Sequence, residues 1–267
     1  MSPSSDADLA IVIPVLRRPH RLMRVYDSAK AATPNAHVLF VASTDDGATR
    51  EALDAHGLDH IIAPWPGGQR GDYARKINLG YRYTTQPLIF TGADDIAFHV
   101  DWFDEAASLI DVPEEAITVL KGGILVGPGV VPRIGVVGTK DLCNERTMVG
   151  AHSTHSLVAR WYADQGGCAD QDHVIYHETY FHEYCDDELV QTAMARQAYA
   201  HSEAIVEHLH PNRDAANHPR PNEFTVKDDE VYQLGRARSR MSRRIFMHRR
   251  SLWGAGVDAL TATRRPR

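Results

Sequence analysis

Blocks of apolar residues alternate with helix-spaced polar segments through the first 110 residues. Leu9-Ala-Ile-Val-Ile-Pro-Val15 is a short run rich in β-branched residues, which predicts a buried strand with Pro14 near its end. Helical spacing follows over Arg21–Ala32 and is punctuated by Thr33-Pro34-Asn35. A second apolar run, His37–Ala42, ends at Ser43-Thr-Asp-Asp-Gly47; Ala48–His56 then reads as a helix stopped by Gly57. His60–Ala63 predicts a third strand, before the loop Pro64-Trp-Pro-Gly-Gly68. Asp72 is placed to cap a helix from Tyr73 to about Thr84. Pro87–Thr91 predicts a fourth strand that stops at Gly92-Ala-Asp-Asp95, and Asp101–Ile110 another helix. Strands alternating with helices predict an α/β fold, with a mostly parallel sheet covered by helices on both faces. Ligands bind beyond the carboxyl ends of such strands. Three polar clusters fall there: Arg17-Arg18, Ser43 to Asp46, and Asp94-Asp95.

The pattern is less regular further on. Ile134–Val137 predicts a strand, and Leu157–Gln165 a helix ended by Gly166-Gly167. Asp187–Tyr199 predicts a helix with acids in its first turn, where the helix dipole favours them. Ala204–Leu209 predicts a short strand leading into His208-Leu-His-Pro211. Asn212–Asn222 is rich in Pro, Asn and charge and reads as a linker or lid, and Arg236–Trp253 as a basic helix. The chain divides accordingly into a body, residues 1–212, and a linker with an Arg-rich helical extension, residues 213–267.

Composition adds the class. A chain of 267 residues buries roughly three-quarters of its unfolded surface, and 43% apolar with 24% charged residues is globular usage. No stretch approaches the ~18 apolar residues of a membrane span. Met1–Asp8 lacks the basic and apolar regions of a secretory leader. Cys143, Cys168 and Cys185 form no paired spacing, which points to a reducing cytoplasm. The net charge of −6 hides an asymmetry: residues 231–267 hold ten Arg, no Lys and one acid, whereas the preceding 230 residues hold 19 basic and 34 acidic side chains. The basic segment is either a solvated helix or an arm for an anionic partner.

Several groups carry candidate chemistry. Asp94-Asp95, directly after an apolar strand, suits a hard divalent cation with oxygen ligands, or is an ordinary acidic turn. Tyr184-Cys-Asp-Asp-Glu-Leu189 brings carboxylates to a helix start, where one is placed to act as general base, although such acids also serve the helix dipole. His177-Glu-Thr-Tyr-Phe-His182 has one residue too many for a zinc-protease HExxH pattern. His208 and His210 alternate on a strand, so only one of them faces a given site. Neither a P-loop nor a dinucleotide-binding GxGxxG is present.

In order, these pieces resemble family 2-type glycosyltransferases of the GT-A fold, over about residues 9–211. Ile11–Val15 is similar to that family's first strand. Gly71-Asp-Tyr-Ala-Arg-Lys-Ile-Asn-Leu-Gly80 is similar to its helix before the fourth strand, with Asn78 and Gly80 in the usual places. Leu88–Asp95 resembles the strand that delivers the DxD metal motif, with Gly92 where the first acid would stand. Cys185–Leu189 resembles the catalytic-base motif, and Glu207-His-Leu-His210 the late metal histidine. The resemblance implies a Mn2+- or Mg2+-dependent transfer of a sugar from a nucleoside-diphosphate donor, UDP favoured, to an acceptor hydroxyl, with inversion. It implies Asp186 as base with Asp187 as the fallback, and a metal held from Asp94, Asp95, His208 and His210. Donor contacts would come from Pro14, Val15, Arg17, Ser43, Asp72, Lys76 and Asp94, and acceptor contacts from His152, His155 and Trp161. The acceptor is open among glycan, protein, lipid carrier and modified DNA. The other reading is a non-catalytic nucleotide- or nucleic-acid-binding protein that uses the basic segment.

Overall fold

The computed structural model describes residues 5–110, 119–120, 123–124, 134–142, 144–166, 168, 173–181, 183–209 and 238–251. Its strands are β1 (Leu9–Pro14), β2 (His37–Ser43), β3 (His60–Ala63), β4 (Leu88–Thr91), β5 (Ile96–Phe98), β6 (Val119–Leu120), β7 (Gly123–Ile124), β8 (Val136–Lys140), β9 (Ser156–Ala159) and β10 (Tyr199–His208). Its helices are α1 (Leu22–Ala32), α2 (Gly47–Ala55), α3 (Asp72–Tyr83), α4 (Trp102–Ala107), α5 (Glu145–Met148), α6 (Arg160–Asp164) and α7 (Cys185–Ala195), with a further helix over 238–251.

Eight strands form one sheet in the order β3-β2-β1-β4-β9-β8-β10-β5, and β6 pairs with β7 separately. β1 is buried at every position, as an apolar strand covered on both faces must be. β3, β2, β1 and β4 run parallel. β9 returns antiparallel between β4 and β8, β10 runs parallel to β8, and β5 runs antiparallel to β10. The expected α/β sheet is therefore present, with its uninterrupted parallel part in the N-terminal half.

These directions decide which residues meet. β1, β2, β4, β8 and β10 all end at one edge, while β9 begins there. The turn after β4, the start of β9 and the end of β10 therefore lie together. α7 precedes β10 and runs back across the sheet, so its first turn returns to the same edge.

Several boundaries differ from the sequence reading. Leu157–Gln165 is not one helix: β9 occupies its start and α6 its end, because an apolar triplet fits a buried strand as well as a helix until its neighbours are known. β10 begins at Tyr199, five residues before the expected strand. Asp72 does not cap α3. Gly71, with φ +76°, takes that position and Asp72 lies in the first turn. β5 was not expected from the pattern, since three residues are too few to show a period. The expected linker, Asn212–Asn222, lies outside the described residues.

α3 presses closely on β1. A Cβ at Gly80 would stand 2.3 Å from Val12 Cγ1, so only glycine allows this approach. Asn78, fully buried on the same helix, accepts from the backbone N–H groups of Ile175 (2.9 Å) and Tyr176 (3.0 Å) and donates to the Tyr176 carbonyl (2.8 Å). It ties the segment leading into α7 to the first half of the sheet.

The 238–251 helix docks by one face. Phe246 is buried against Tyr184 with ring centroids 5.5 Å apart, and Ser242 Oγ accepts from the Phe181 N–H at 3.1 Å. Arg249 Nε donates to both oxygens of the buried Glu188, at 2.7 and 2.9 Å, and the Tyr180 hydroxyl donates to the same carboxylate. Removing one member of such a buried pair strands the other charge. Arg249→Met is expected to destabilise the fold by about 3–5 kcal/mol. Arg249→Met combined with Glu188→Gln should recover much of that loss, as read from urea denaturation midpoints.

Candidate functional site

Asp94 and Asp95 follow β4 at the carboxyl edge, each only 7% exposed. Buried carboxylates need compensating charge or hydrogen bonds. Arg18 supplies both, with NH1 2.9 Å from Asp94 Oδ1 and 3.5 Å from Asp95 Oδ2. Arg21 stands 3.5 Å from Asp95 Oδ2 and 3.9 Å from Asp94 Oδ1. On the other side, His208 Nε2 lies 3.3 Å from Asp95 Oδ1. The sheet register places it there: His208 is opposite Ile96 across the antiparallel β10–β5 pair, and the Leu209 N–H donates to the Asp95 carbonyl at 2.7 Å. Burial pushes the Asp94 carboxyl up to about 6 despite Arg18. Burial works the same way on Asp95, but His208 and the two arginines outweigh it and hold that carboxyl well below the usual range.

Gly92 stands where the DxD pattern has its first acid. Its N–H donates to the Val12 carbonyl at 2.9 Å, and a Cβ there would lie 2.9 Å from that same oxygen. Packing against β1 thus excludes a side chain, and the acid pair sits one step later.

The residues expected to contact a donor lie near the ends of β1 and β2, with Asp72 and Lys76 on the adjoining α3. Lys76, 1% exposed, donates to the Val15 carbonyl at 2.8 Å and pairs with Asp72 at 3.1 Å. Burial lowers the Lys76 pKa, opposed by Asp72. The Asp72 carboxylate also accepts from Trp65 Nε1 (2.9 Å) and the Gly68 N–H (3.0 Å), so it fastens the Pro64–Gly68 loop. Gly67 of that loop covers Ser43, and a Cβ on it would fall 2.7 Å from Ser43 Oγ. Arg17, with φ +55°, donates its N–H to Asp46 at 2.5 Å and places its guanidinium 3.5 Å from Asp45.

The first turn of α7 makes the second half of the site. His152 bridges its two aspartates, with Nε2 3.4 Å from Asp186 Oδ2 and Nδ1 3.5 Å from Asp187 Oδ1. Arg146 of α5 holds Asp187 at 2.7 Å. Burial opposes ionisation of both His152 and Asp186, yet each stabilises the other's charge: the His152 pKa is raised and that of Asp186 lowered. Asp187 is pushed up by burial and by Asp186. Among the described residues, His152, Asp186 and Asp187 are the one cluster whose His and carboxylate atoms all lie within 4.8 Å of one another.

His155 joins the halves. Its Nδ1 lies 2.8 Å from the Thr91 carbonyl, its ring packs perpendicular to His208 at 5.2 Å, and both Asp95 and Asp186 act on it electrostatically. Trp161, by contrast, follows the far end of β9, where the Arg160 N–H donates to the Pro87 carbonyl at the start of β4 (2.8 Å). It stands at the opposite edge of the sheet from Asp94, apart from His152 and His155. His210 lies outside the described residues. Arg21 and Arg146 were not picked out from the sequence, while Arg18 stood there only as part of a polar cluster and Glu188 only as part of the Cys185–Leu189 run. Arg18 and Arg21 flank a Pro-His turn beside the first strand, and that position was the available signal.

No protein-family model matches the sequence, and no curated protein does so. Solved structures do match. Glucosyl-3-phosphoglycerate synthase from Mycobacterium tuberculosis, in complex with Mn2+, UDP-glucose and phosphoglyceric acid, aligns over 90% of this chain and 79% of its own, with 13% identity and a TM-score of 0.52. A mannosyltransferase from Pyrobaculum calidifontis, in complex with GDP-Man and Mn2+, aligns over 76% of this chain at 15% identity and a TM-score of 0.47; this chain spans 57% of that protein.

Burial and the neighbouring His208 push His155 down to about 4, below its ordinary 6.5. The unfolded chain therefore binds this proton more readily between those values. Stability present above pH 6.5 is lost as pH falls toward 4, by on the order of 3 kcal/mol. His155→Gln, measured by urea denaturation in EDTA, is expected to flatten that part of the pH profile. The architecture, the strand directions and the alignment with the synthase agree: this chain has the GT-A fold.

Proposed function

We infer that the protein is a metal-dependent glycosyltransferase that moves a sugar from a nucleoside-diphosphate sugar, UDP favoured, to an acceptor hydroxyl. The observation that carries this reading is the gathering, at one sheet edge of a GT-A fold, of Asp94, Asp95 and His208 beside His152, Asp186 and Asp187. The synthase that shares the fold was solved with Mn2+ and UDP-glucose.

The residues fit a cation. Asp95 and His208 offer a carboxylate oxygen and an imidazole nitrogen 3.3 Å apart, a mixed set that suits Mn2+ better than Mg2+. A bound ion of this kind neutralises charge on a diphosphate leaving group as a Lewis acid. Arg18 remains on Asp94 and keeps that carboxylate fixed. Pro14, Val15, Arg17 and Ser43, at the ends of β1 and β2, border the nucleotide. Lys76 and Asp72 support that border from beneath, since both side chains are engaged with protein groups.

Asp186 is the base. Its carboxylate takes the acceptor hydroxyl proton as the acceptor oxygen bonds to the anomeric carbon, and the diphosphate leaves with the electrons of the broken C–O bond. Attack from the face opposite the leaving group inverts the centre. His152 orients the carboxylate and Asp187 is held aside by Arg146. The acid pair of α7 with His152 is a second place with cation-binding donors, and separate variants discriminate between the two.

Thermal unfolding with UDP-, GDP- and TDP-sugars, with and without Mn2+, tests the donor class. A ligand at a hundred times its Kd adds about 2.7 kcal/mol. One nucleotide is expected to raise Tm in a metal-dependent way, and no rise with any of them would sink the reading. Asp95→Asn should remove the Mn2+ dependence. Asp186→Asn should abolish transfer and keep the donor shift; a lost shift would instead make Asp186 a ligand.

A further inference from the structure

We propose that the outer face of the 238–251 helix is a docking surface for the phosphodiester backbone of a nucleic acid. The helix has used its apolar face already: Phe246 is buried, Ile245 is packed on the core, and Ser242 and Arg249 bond to the body. What remains outside is basic. Arg240, Arg243, Arg244 and Arg250 are exposed, and among the described residues none of the four has an acidic partner. At 100° per residue they gather on one side, with Met241 and Met247 between and beside them.

The length and chemistry match a phosphate row. Arg240 to Arg250 spans about 15 Å, which runs alongside roughly nine charges of a duplex. All four cations are arginines, whose planar forks grip phosphate oxygens in pairs. Residues 1–230, with 34 acids against 19 bases, repel a polyanion and disfavour its binding there.

A lipid surface fits less well. A helix lying in a bilayer interface inserts its apolar side, and here that side is in the protein core. The exposed face offers only two methionines, 47% and 54% exposed, and no aromatic or branched aliphatic anchor.

Fluorescence anisotropy with a labelled 30-base-pair duplex and a 30-nucleotide single strand, in EDTA without nucleotide sugar, tests this independently of glycosyl transfer. With about four phosphates neutralised, duplex affinity should fall on the order of a hundredfold between 50 and 200 mM salt. The variant Arg240→Gln/Arg243→Gln/Arg244→Gln/Arg250→Gln, altered only at exposed positions and checked for unchanged Tm, should bind at least about tenfold more weakly and with a flatter salt dependence. Arg82→Gln, exposed on α3, should change neither. No binding at 50 mM salt, or binding that the four-fold variant leaves intact, would overturn the proposal. So would tighter, Arg-dependent sedimentation with phosphatidylglycerol vesicles.

Discussion

Two adjacent carboxylates, almost wholly withdrawn from water, set the terms for everything around them. Asp94 and Asp95 are tolerable in that position only because Arg18 and Arg21 arrive from the turn after β1 and His208 from the end of β10. Each partner comes from a different part of the chain. The order of strands is what brings them together: β1 and β4 are direct neighbours, and β10 reaches the same edge through β5. An arrangement with β10 reversed would put His208 at the wrong edge and leave Asp95 with less compensation.

The same edge carries an opposing pair of demands. The acids of α7 sit where the helix dipole and His152 favour their charge, while burial disfavours it. His155 lies between the two acidic groups and is held neutral by its surroundings. A neutral imidazole there separates two clusters of charge without adding to either.

Much of this was legible in the sequence where local pattern and chemistry coincide. The runs at Leu9, His37 and Leu88 are apolar, β-branched and bounded by turn residues, so their strands were readable directly. Asp94-Asp95, Cys185–Leu189 and His208 stood out because acids and histidines at strand or helix ends are conspicuous. What could not be read depends on long-range partners. β9 looks helical until β4 and β8 claim its backbone, and β5 is too short for any period. Trp161 looked suited to an acceptor because aromatic faces suit sugars, but the direction of β9 carries it to the far edge. Arg18 was readable as part of a polar cluster beyond the first strand; only the fold shows that it is buried on both acids.

Glu188 follows the two acids of the candidate base directly, yet its partner Arg249 is 61 residues further on. The carboxylate is buried, so the turn that holds Asp186 is complete only once that guanidinium is in place. During synthesis from the N-terminus the sheet can assemble well before residue 249 emerges. The first turn of α7 would meanwhile carry the Glu188 carboxylate without its guanidinium, held by the Tyr180 hydroxyl, next to its functional groups. Completion of the candidate site is thereby coupled to the docking of the 238–251 helix, and a nascent chain that has not yet presented residue 249 would have its strands in order with that turn still unsettled.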